Sequence, residues 1–245
     1  QRINEKISLK KIDPIKLSIS FGWETKHNEN EKMMEVFKRA ENSMYKQKLT
    51  ESESMKKNTI QIIMKTLYEN IETEKKHSES VSGLCKAIGT AMGFRKDEIE
   101  ELRVLGEVHD IGKIAIDSYI FNLPRELNDS EWFEIRQHLE SGYRILSLVK
   151  EFSQLSEAVL AHHEKWDGTG YPKGLKGEEI PFKSRILAVA DSYDAMVSER
   201  TYRKPFGTEY AIAEIKKNAG IQFDPSVARI FVERVLNKDF DSIEY

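Results

Sequence analysis

Two adjacent histidines, His162 and His163, precede the run Glu164-Lys165-Trp166-Asp167-Gly168-Thr169-Gly170-Tyr171-Pro172. Neighbouring imidazoles followed by a tight Gly/Pro loop are poorly explained by core packing. They fit a metal held at the end of a helix, with a substrate docked against the loop beyond it. Five of the six histidines (His77, His109, His138, His162, His163) fall in one region in recurring acidic contexts, and His109 is followed directly by Asp110. The sixth, His27, sits in the polar segment Lys26-His27-Asn28-Glu29 and is read as non-functional. Asp191 joins the set because it interrupts the apolar run Ala188-Val189-Ala190, where a carboxylate is costly unless paired or metal-bound.

The candidate constellation is therefore His77, His109, Asp110, His138, His162, His163 and Asp191. Taken singly, His77 or His138 would read as an ordinary surface or core histidine; taken together they read as ligands. Imidazole and carboxylate suit zinc, iron or manganese, and the single cysteine excludes a cysteine-rich structural zinc. A nitrogen/oxygen site keeps water on the metal, as hydrolysis requires. The set is large enough for two ions with one carboxylate bridging them. Ions about 3.5–4 Å apart can share a hydroxide and stabilise both the attacking and leaving oxygens of an in-line phosphoryl displacement.

Helices must position these groups. From residue 58 the apolar spacing predicts helix after helix. Ile60, Ile63, Met64 and Leu67 form one face, and Val81, Leu84, Ile88 and Met92 the next. Ile99, Leu102, Leu105 and Val108 form a third, which stops at His109-Asp110-Ile111-Gly112. Asn128-Asp129-Ser130-Glu131 predicts a capped helix start running through His138. Leu155, Ala158, Val159 and Ala161 lead into His162. The Gly/Pro-rich stretch 167–181 predicts a structured loop, Arg185 to Met196 an apolar helix, and Asp224-Pro225 a helix start. Ahead of this region, residues 16–24 alternate as a half-buried strand, and 31–48 carry Met33, Met34, Phe37, Ala40, Met44 and Tyr45 at helical spacing for core or partner packing. The polar run 50–57 contains nothing that breaks a helix and predicts a domain boundary.

Net charge is −3, which gives no bulk electrostatic case for binding a nucleic acid polymer. Cys85, in Val81-Ser82-Gly83-Leu84-Cys85, is read as a buried small apolar residue, and a lone cysteine fits a reducing, cytoplasmic compartment. No apolar run approaches the roughly 20 residues of a membrane helix. The first residue is Gln1, which suggests a piece of a longer protein with a sensor or other domain upstream.

His109-Asp110-Ile111-Gly112-Lys113 and the run from His162 to Pro172 resemble the two signatures of the HD-GYP family, a subgroup of the HD-domain metal-dependent phosphohydrolases. The resemblance runs from about 58 to 237 and includes Gly174-Leu175-Lys176-Gly177-Glu178-Glu179-Ile180-Pro181, Asp191-Ser192-Tyr193-Asp194-Ala195-Met196, Arg200-Thr201-Tyr202-Arg203 and Phe223-Asp224-Pro225. It implies a mainly α fold, a helical bundle around a metal centre, over 58–245. It implies hydrolysis of cyclic di-GMP to pGpG or GMP, with two or three metals, usually iron or manganese. By position, His77, His109, Asp110 and Asp191 would hold one ion. Asp110 would bridge to a second held by His138, His162 and His163, and a metal-bridging hydroxide would attack phosphorus. Lys113 would neutralise the phosphate or protonate the leaving oxygen, Gly170 and Tyr171 would contact substrate, and Arg200 and Arg203 would pair with phosphates. Three-metal members carry a glutamate four residues before the first histidine; here that position is Thr73, flanked by Glu72 and Glu74, either of which could reach the site with a shift in register, and two metals are expected. Glu107 stands where the family is usually apolar.

Residues 1–49 carry a second, shorter resemblance. Leu17-Ser18-Ile19-Ser20-Phe21-Gly22 and Arg39-Ala40-Glu41-Asn42-Ser43-Met44-Tyr45-Lys46 resemble the last strand and helix of a GGDEF domain, without its signature loop. No cyclase activity is expected from this remnant, and poor order or unusual packing is expected over 1–30. Two alternatives stay open: hydrolysis of another cyclic dinucleotide or nucleotide at the same site, and a signalling module that binds ligand with little turnover. The helices over 31–70 could pair between chains in a homodimer, although their apolar pattern is not a sustained heptad.

Overall fold

The computed structural model describes residues 21–121, 123, 125, 127–199 and 205–241, and among them it contains helices and turns but no strand. The chain divides into two compact units, residues 1–59 and 60–245.

In the first unit, residues 21–27 have no regular secondary structure. The strand expected over 16–24 is therefore absent from its described part, and its remainder lies outside the described residues. A strand needs a neighbour to take its backbone hydrogen bonds, and none exists among the described residues. Helix α1 (Met33–Asn70) begins here and continues without a break through 50–57. Its predicted Met/aromatic stripe is not core in this chain. Met33, Met34, Phe37 and Tyr45 are exposed, and the buried apolar position is Val36.

The second unit is built from α2 (Glu72–Ala91), α3 (Lys96–Val108), a 3-10 turn (Ile111–Ala115), α4 (Ser118–Phe121), α5 (Asp129–Arg136), α6 (His138–Ser147), α7 (Lys150–Leu160), α8 (Phe182–Val197), α9 (Thr208–Lys217) and α10 (Pro225–Ile230), which runs on as π-helix over Phe231–Val235. The stripes read from sequence become its core. Val81, Cys85 and Ile88 of α2 lie against α3, whose Leu102 and Leu105 are fully buried, and the C-terminal turns of α1 add Ile60 and Met64. Helix α8 is apolar on most sides (Ile186, Leu187, Val189 and Ala190 all at 0%), so it sits in the middle of the bundle and packs on α2, α3, α7, α9 and α10.

Local signals set the helix ends. Asn128 Oδ1 accepts from the Glu131 amide while a Glu131 carboxylate oxygen accepts from the Asn128 amide, a reciprocal capping box. The expected single helix through His138 is two, because the Gln137 amide bonds the Glu134 carbonyl three residues back and tightens the turn there. Asp224 caps α10 ahead of Pro225. Glu107, unusual for its position, is half exposed and lies 2.9 Å from Arg103 one turn earlier. It faces the bundle's surface rather than its core.

Candidate metal centre

Each histidine of the set stands on or beside a helix of the second unit. His77 is on α2, His109 caps the C-terminus of α3, His138 opens α6, and His162 and His163 follow α7 by two and three residues. Asp110 precedes the 3-10 turn that carries Lys113, and Asp191 projects from α8. The rings form a continuous cluster. His77 and His109 are 5.3 Å apart by centroid, His109 and His162 5.4 Å, His138 and His162 5.5 Å, and His162 and His163 4.1 Å.

The local backbone decides which nitrogen of each ring faces the cluster. Nδ1 of His109 donates to the Gly106 carbonyl at 2.8 Å, Nδ1 of His138 to Ile135 at 2.6 Å, and Nδ1 of His162 to Val159 at 2.6 Å, in every case three residues back along the helix. A carbonyl can only accept, so Nδ1 carries a proton in each ring and Nε2 is the atom left to face the cluster. All three Nε2 atoms are buried and have no hydrogen-bond partner among the described residues. Three aimed, buried, unpartnered imidazole nitrogens are costly in a bare core and are what a divalent cation needs.

Two ligand groups emerge, each with its donor atoms within 4.8 Å of one another: His77, His109 and Asp191, and His138, His162 and His163. Asp110 stands between them. Its Oδ2 is 3.1 Å from His109 Nε2 and 3.9 Å from His77 Nε2, while its Oδ1 is 3.4 Å from His138 Nε2. One carboxylate thus offers one oxygen to each group, the disposition of a bridging ligand.

Electrostatics separate the two groups. Burial, with the charge of neighbouring imidazoles, pushes the His162 pKa well down and that of His163 to about 4; His138 is lowered by the same burial. The direction is the same for all three, toward the neutral imidazole that a metal would need. His77 behaves differently. Burial would lower its pKa, but the hydrogen bonds to Asp191 and Asp194 outweigh that and raise it to about 10. Its Nε2 is 3.1 Å from Asp191 Oδ1, so a cation bound there takes the place of the imidazolium proton. Burial likewise disfavours the charged form of Asp191, yet the His77 bond and charge hold its carboxyl below the usual range.

The loop after the histidine pair is tied to the site. The Tyr171 amide bonds the His163 carbonyl at 3.2 Å, and the Tyr171 ring lies 5.2 Å from the His163 ring with the Arg136 guanidinium over it at 4.6 Å. Buried Glu164 organises the loop, its two oxygens accepting from the amides of Lys173 at 2.7 Å and Leu175 at 3.0 Å. Gly170 is set against the chain itself. A Cβ there would come within 2.3 Å of the Lys165 nitrogen and 2.5 Å of the Glu164 Cα, so only glycine lets the loop close. Arg200 and Arg203 lie outside the described residues.

Two residues near the centre, Asp194 and Arg136, were missed from sequence, and a third, Glu74, was named only as a glutamate that could reach a third metal. Asp194, buried one turn beyond Asp191, accepts from His77 Nδ1 at 2.6 Å and so orients a ligand ring. Like Asp191, it is a carboxylate in an apolar helix, a signal visible in the sequence. Glu74 is buried and reaches Lys113, as its place three residues before His77 on the same helix face allowed. Arg136 gave no signal, being a charged residue on an exposed helix. Asp194→Asn is expected to weaken metal affinity about ten- to a hundredfold with the fold retained. Titration of the metal-free protein with Mn(II) against a competing chelator checks it, and unchanged affinity would remove Asp194 from the site.

The HD domain family model matches residues 61–227. A cyclic di-GMP phosphodiesterase of Thermotoga maritima is 42% identical over 168 residues, covering 68% of this chain and 45% of that protein. The cyclic di-GMP phosphodiesterase response regulator RpfG of Xanthomonas campestris is 33% identical, covering 71% and 52%, and a 3'3'-cGAMP-specific phosphodiesterase of Vibrio cholerae is 34% identical, covering 64% and 30%. The chain thus spans about half the length, or less, of these relatives. Among solved structures, an HDG"Y"P protein from Bdellovibrio bacteriovorus superposes with a TM-score of 0.55 at 18% identity, over 83% of this chain and 67% of that one. The helical bundle is shared with it at a level that speaks to fold alone. Over the whole stretch that carries His77, His109, Asp110, His138, the histidine pair and Asp191, the chain belongs to the HD-domain family.

Proposed function

We propose that the second unit is a metal-dependent phosphodiesterase of the HD-GYP type that hydrolyses cyclic di-GMP to pGpG, GMP or both, at two divalent ions, iron or manganese. The observation that carries this reading is the pair of ligand groups sharing Asp110, with three imidazole nitrogens aimed at them and unpartnered. Metal ions bound there would supply Lewis-acid stabilisation of the phosphoryl oxygens and an activated water at neutral pH.

The chain's own residues complete the chemistry. Lys113 Nζ lies 2.6 Å from Asp110 Oδ2, and although burial disfavours its charge, Asp110 and Glu74 keep it protonated. It is a fixed positive charge beside the bridging carboxylate, placed to neutralise a phosphate or protonate the leaving oxygen. The Tyr171 ring offers a flat face next to His163 for a base or ribose, and Arg200 and Arg203 are assigned to phosphates of the dianionic substrate. Residues 1–49 are proposed to be the end of a GGDEF domain that belongs to an upstream part of the protein, with 50–57 as the linker. No helix among the described residues is long and apolar enough to cross a membrane, which fits the cytoplasmic placing proposed for this part of the protein.

A second substrate is favoured by a specific observation: relatives at 34–35% identity are named as 3'3'-cGAMP-specific enzymes. The same metals and Lys113 serve either phosphodiester. The test is anaerobic reconstitution with Fe(II) or Mn(II) and turnover of cyclic di-GMP, 3'3'-cGAMP and cyclic di-AMP side by side. Preferred cleavage of cyclic di-GMP is expected. Two bound ions with turnover no greater than that of a His109→Ala/Asp110→Ala protein would instead make this a binding module.

A further inference from the structure

A third group of potential ligands, Glu74, His77 and Asp110, has its atoms within the same 4.8 Å as the other two. An ion there would have to share donors with both main groups. His77 has one free donor atom, because its Nδ1 is engaged 2.6 Å from Asp194 Oδ2, and its Nε2 already faces Asp191. Asp110 has both oxygens directed at the two main groups. Of the three residues, only Glu74 has no role in either main group. The space between Glu74 and Asp110 also has an occupant: Lys113 Nζ is 3.0 Å from Glu74 Oε2 and 2.6 Å from Asp110 Oδ2. A dication bound by the same two carboxylates would sit against that ammonium in a buried environment, where like charges repel strongly.

We propose that Glu74 is the positioning residue of Lys113, and that the Lys113 ammonium fills the place of a third divalent ion, keeping the centre at two. The inference rests on the reading of the site as a two-ion phosphodiesterase. The Lys113 side chain is only 17% exposed and Asp110 is shared with the metal groups, so a second, dedicated carboxylate is what holds the ammonium at a fixed point beside the bridge. Glu74 is suited to that task. It is itself buried, and its Oε1 has no partner among the described residues. Its ion-pair partner is Lys113 at 3.0 Å, so it acts through Lys113.

The test compares wild type, Glu74→Gln, Lys113→Met and the double variant. Metal per chain is measured after anaerobic reconstitution with Mn(II), the thermal midpoint in the metal-free state, and kcat and KM on cyclic di-GMP. Wild type and Glu74→Gln are expected to hold the same two ions. Lys113→Met is expected to take up additional Mn(II) that the double variant does not. Glu74→Gln should lower kcat by about ten- to a hundredfold, and have no further effect once Lys113 is gone. The effect of Glu74→Gln on the midpoint should shrink in the same way in the Lys113→Met background. A wild type with three ions that falls to two in Glu74→Gln would make Glu74 a metal ligand and overturn the proposal. So would no extra ion in Lys113→Met, or a Glu74→Gln effect equally large without Lys113. If wild type cleaves no cyclic dinucleotide, the proposed activity fails, while the metal counts and the metal-free midpoints still decide the role of Glu74.

Discussion

An Asp110→Asn protein is expected to fold, to bind fewer divalent ions per chain than wild type, and to lose turnover by at least about a thousandfold. The carboxylate faces both candidate ligand groups at once, Oδ2 at 3.1 Å from His109 Nε2 and Oδ1 at 3.4 Å from His138 Nε2. Asparagine keeps one oxygen and replaces the other with an NH2 that donates and cannot ligate. One group keeps its share of the bridge and the other faces a nitrogen. Because a Lewis acid contributes several kcal/mol to the transition state of phosphoryl transfer, and each 1.4 kcal/mol is about tenfold in rate, loss of one ion accounts for the predicted drop. The fold should survive, since the side chain keeps its volume and Lys113 keeps Glu74 as counter-charge at 3.0 Å. Metal content by plasma emission, a thermal melt and steady-state turnover together check the prediction. Full occupancy by two ions with near wild-type turnover would remove Asp110 from the bridging role.

How much of this centre the sequence disclosed depended on the kind of signal. His109 and Asp110 were legible because they sit where an apolar periodicity stops, and Asp191 because it interrupts one. The second-unit helices were legible for the same reason: in the stripe of Val81, Leu84, Ile88 and Met92, Val81 and Ile88 are fully buried and Leu84 and Met92 pack against the core. Tautomers were not legible. That His109, His138 and His162 each donate from Nδ1 to the carbonyl three residues back depends on where each helix ends, which spacing fixes only to within a residue or two. Asp194 was passed over, and Glu74 was weighed only as a metal ligand, because a carboxylate's role depends on the partner it meets across the bundle. Asp194 meets a residue 117 positions away. The stripe over residues 33–45 left core and partner packing open, because helical spacing of Met and Phe reports an apolar face without saying what covers it.

Gly112 shows a residue whose type was visible in the motif and whose reason lay in the packing. A Cβ built at this position would fall 1.9 Å from the His138 carbonyl oxygen, 2.8 Å from its carbon and 2.5 Å from the Gly142 nitrogen. All three are backbone atoms of α6, so no side chain can swing aside to relieve the clash. Gly142 meets the 3-10 turn from the other side, 3.5 Å from the Gly112 nitrogen by the same measure, and the two glycines let α6 lie directly on the turn that carries Asp110 and Lys113. This contact sets the separation between His138 and Asp110, and with it the span of the bridge. Gly112→Ala must push α6 away. The expected result is destabilisation by about 3 kcal/mol, at the upper end for overpacking, which lowers the thermal midpoint by roughly 6–12 °C in a domain of this size, together with loss of metal from the group that includes His138. Gly83 supplies the control. It lies in α2 with nothing within 4 Å of its would-be Cβ, so Gly83→Ala should leave metal content unchanged and stabilise the protein by up to about 1 kcal/mol. A Gly112→Ala protein that melts with wild type and holds its full complement of metal would show that α6 can shift on the turn without cost to the bridge.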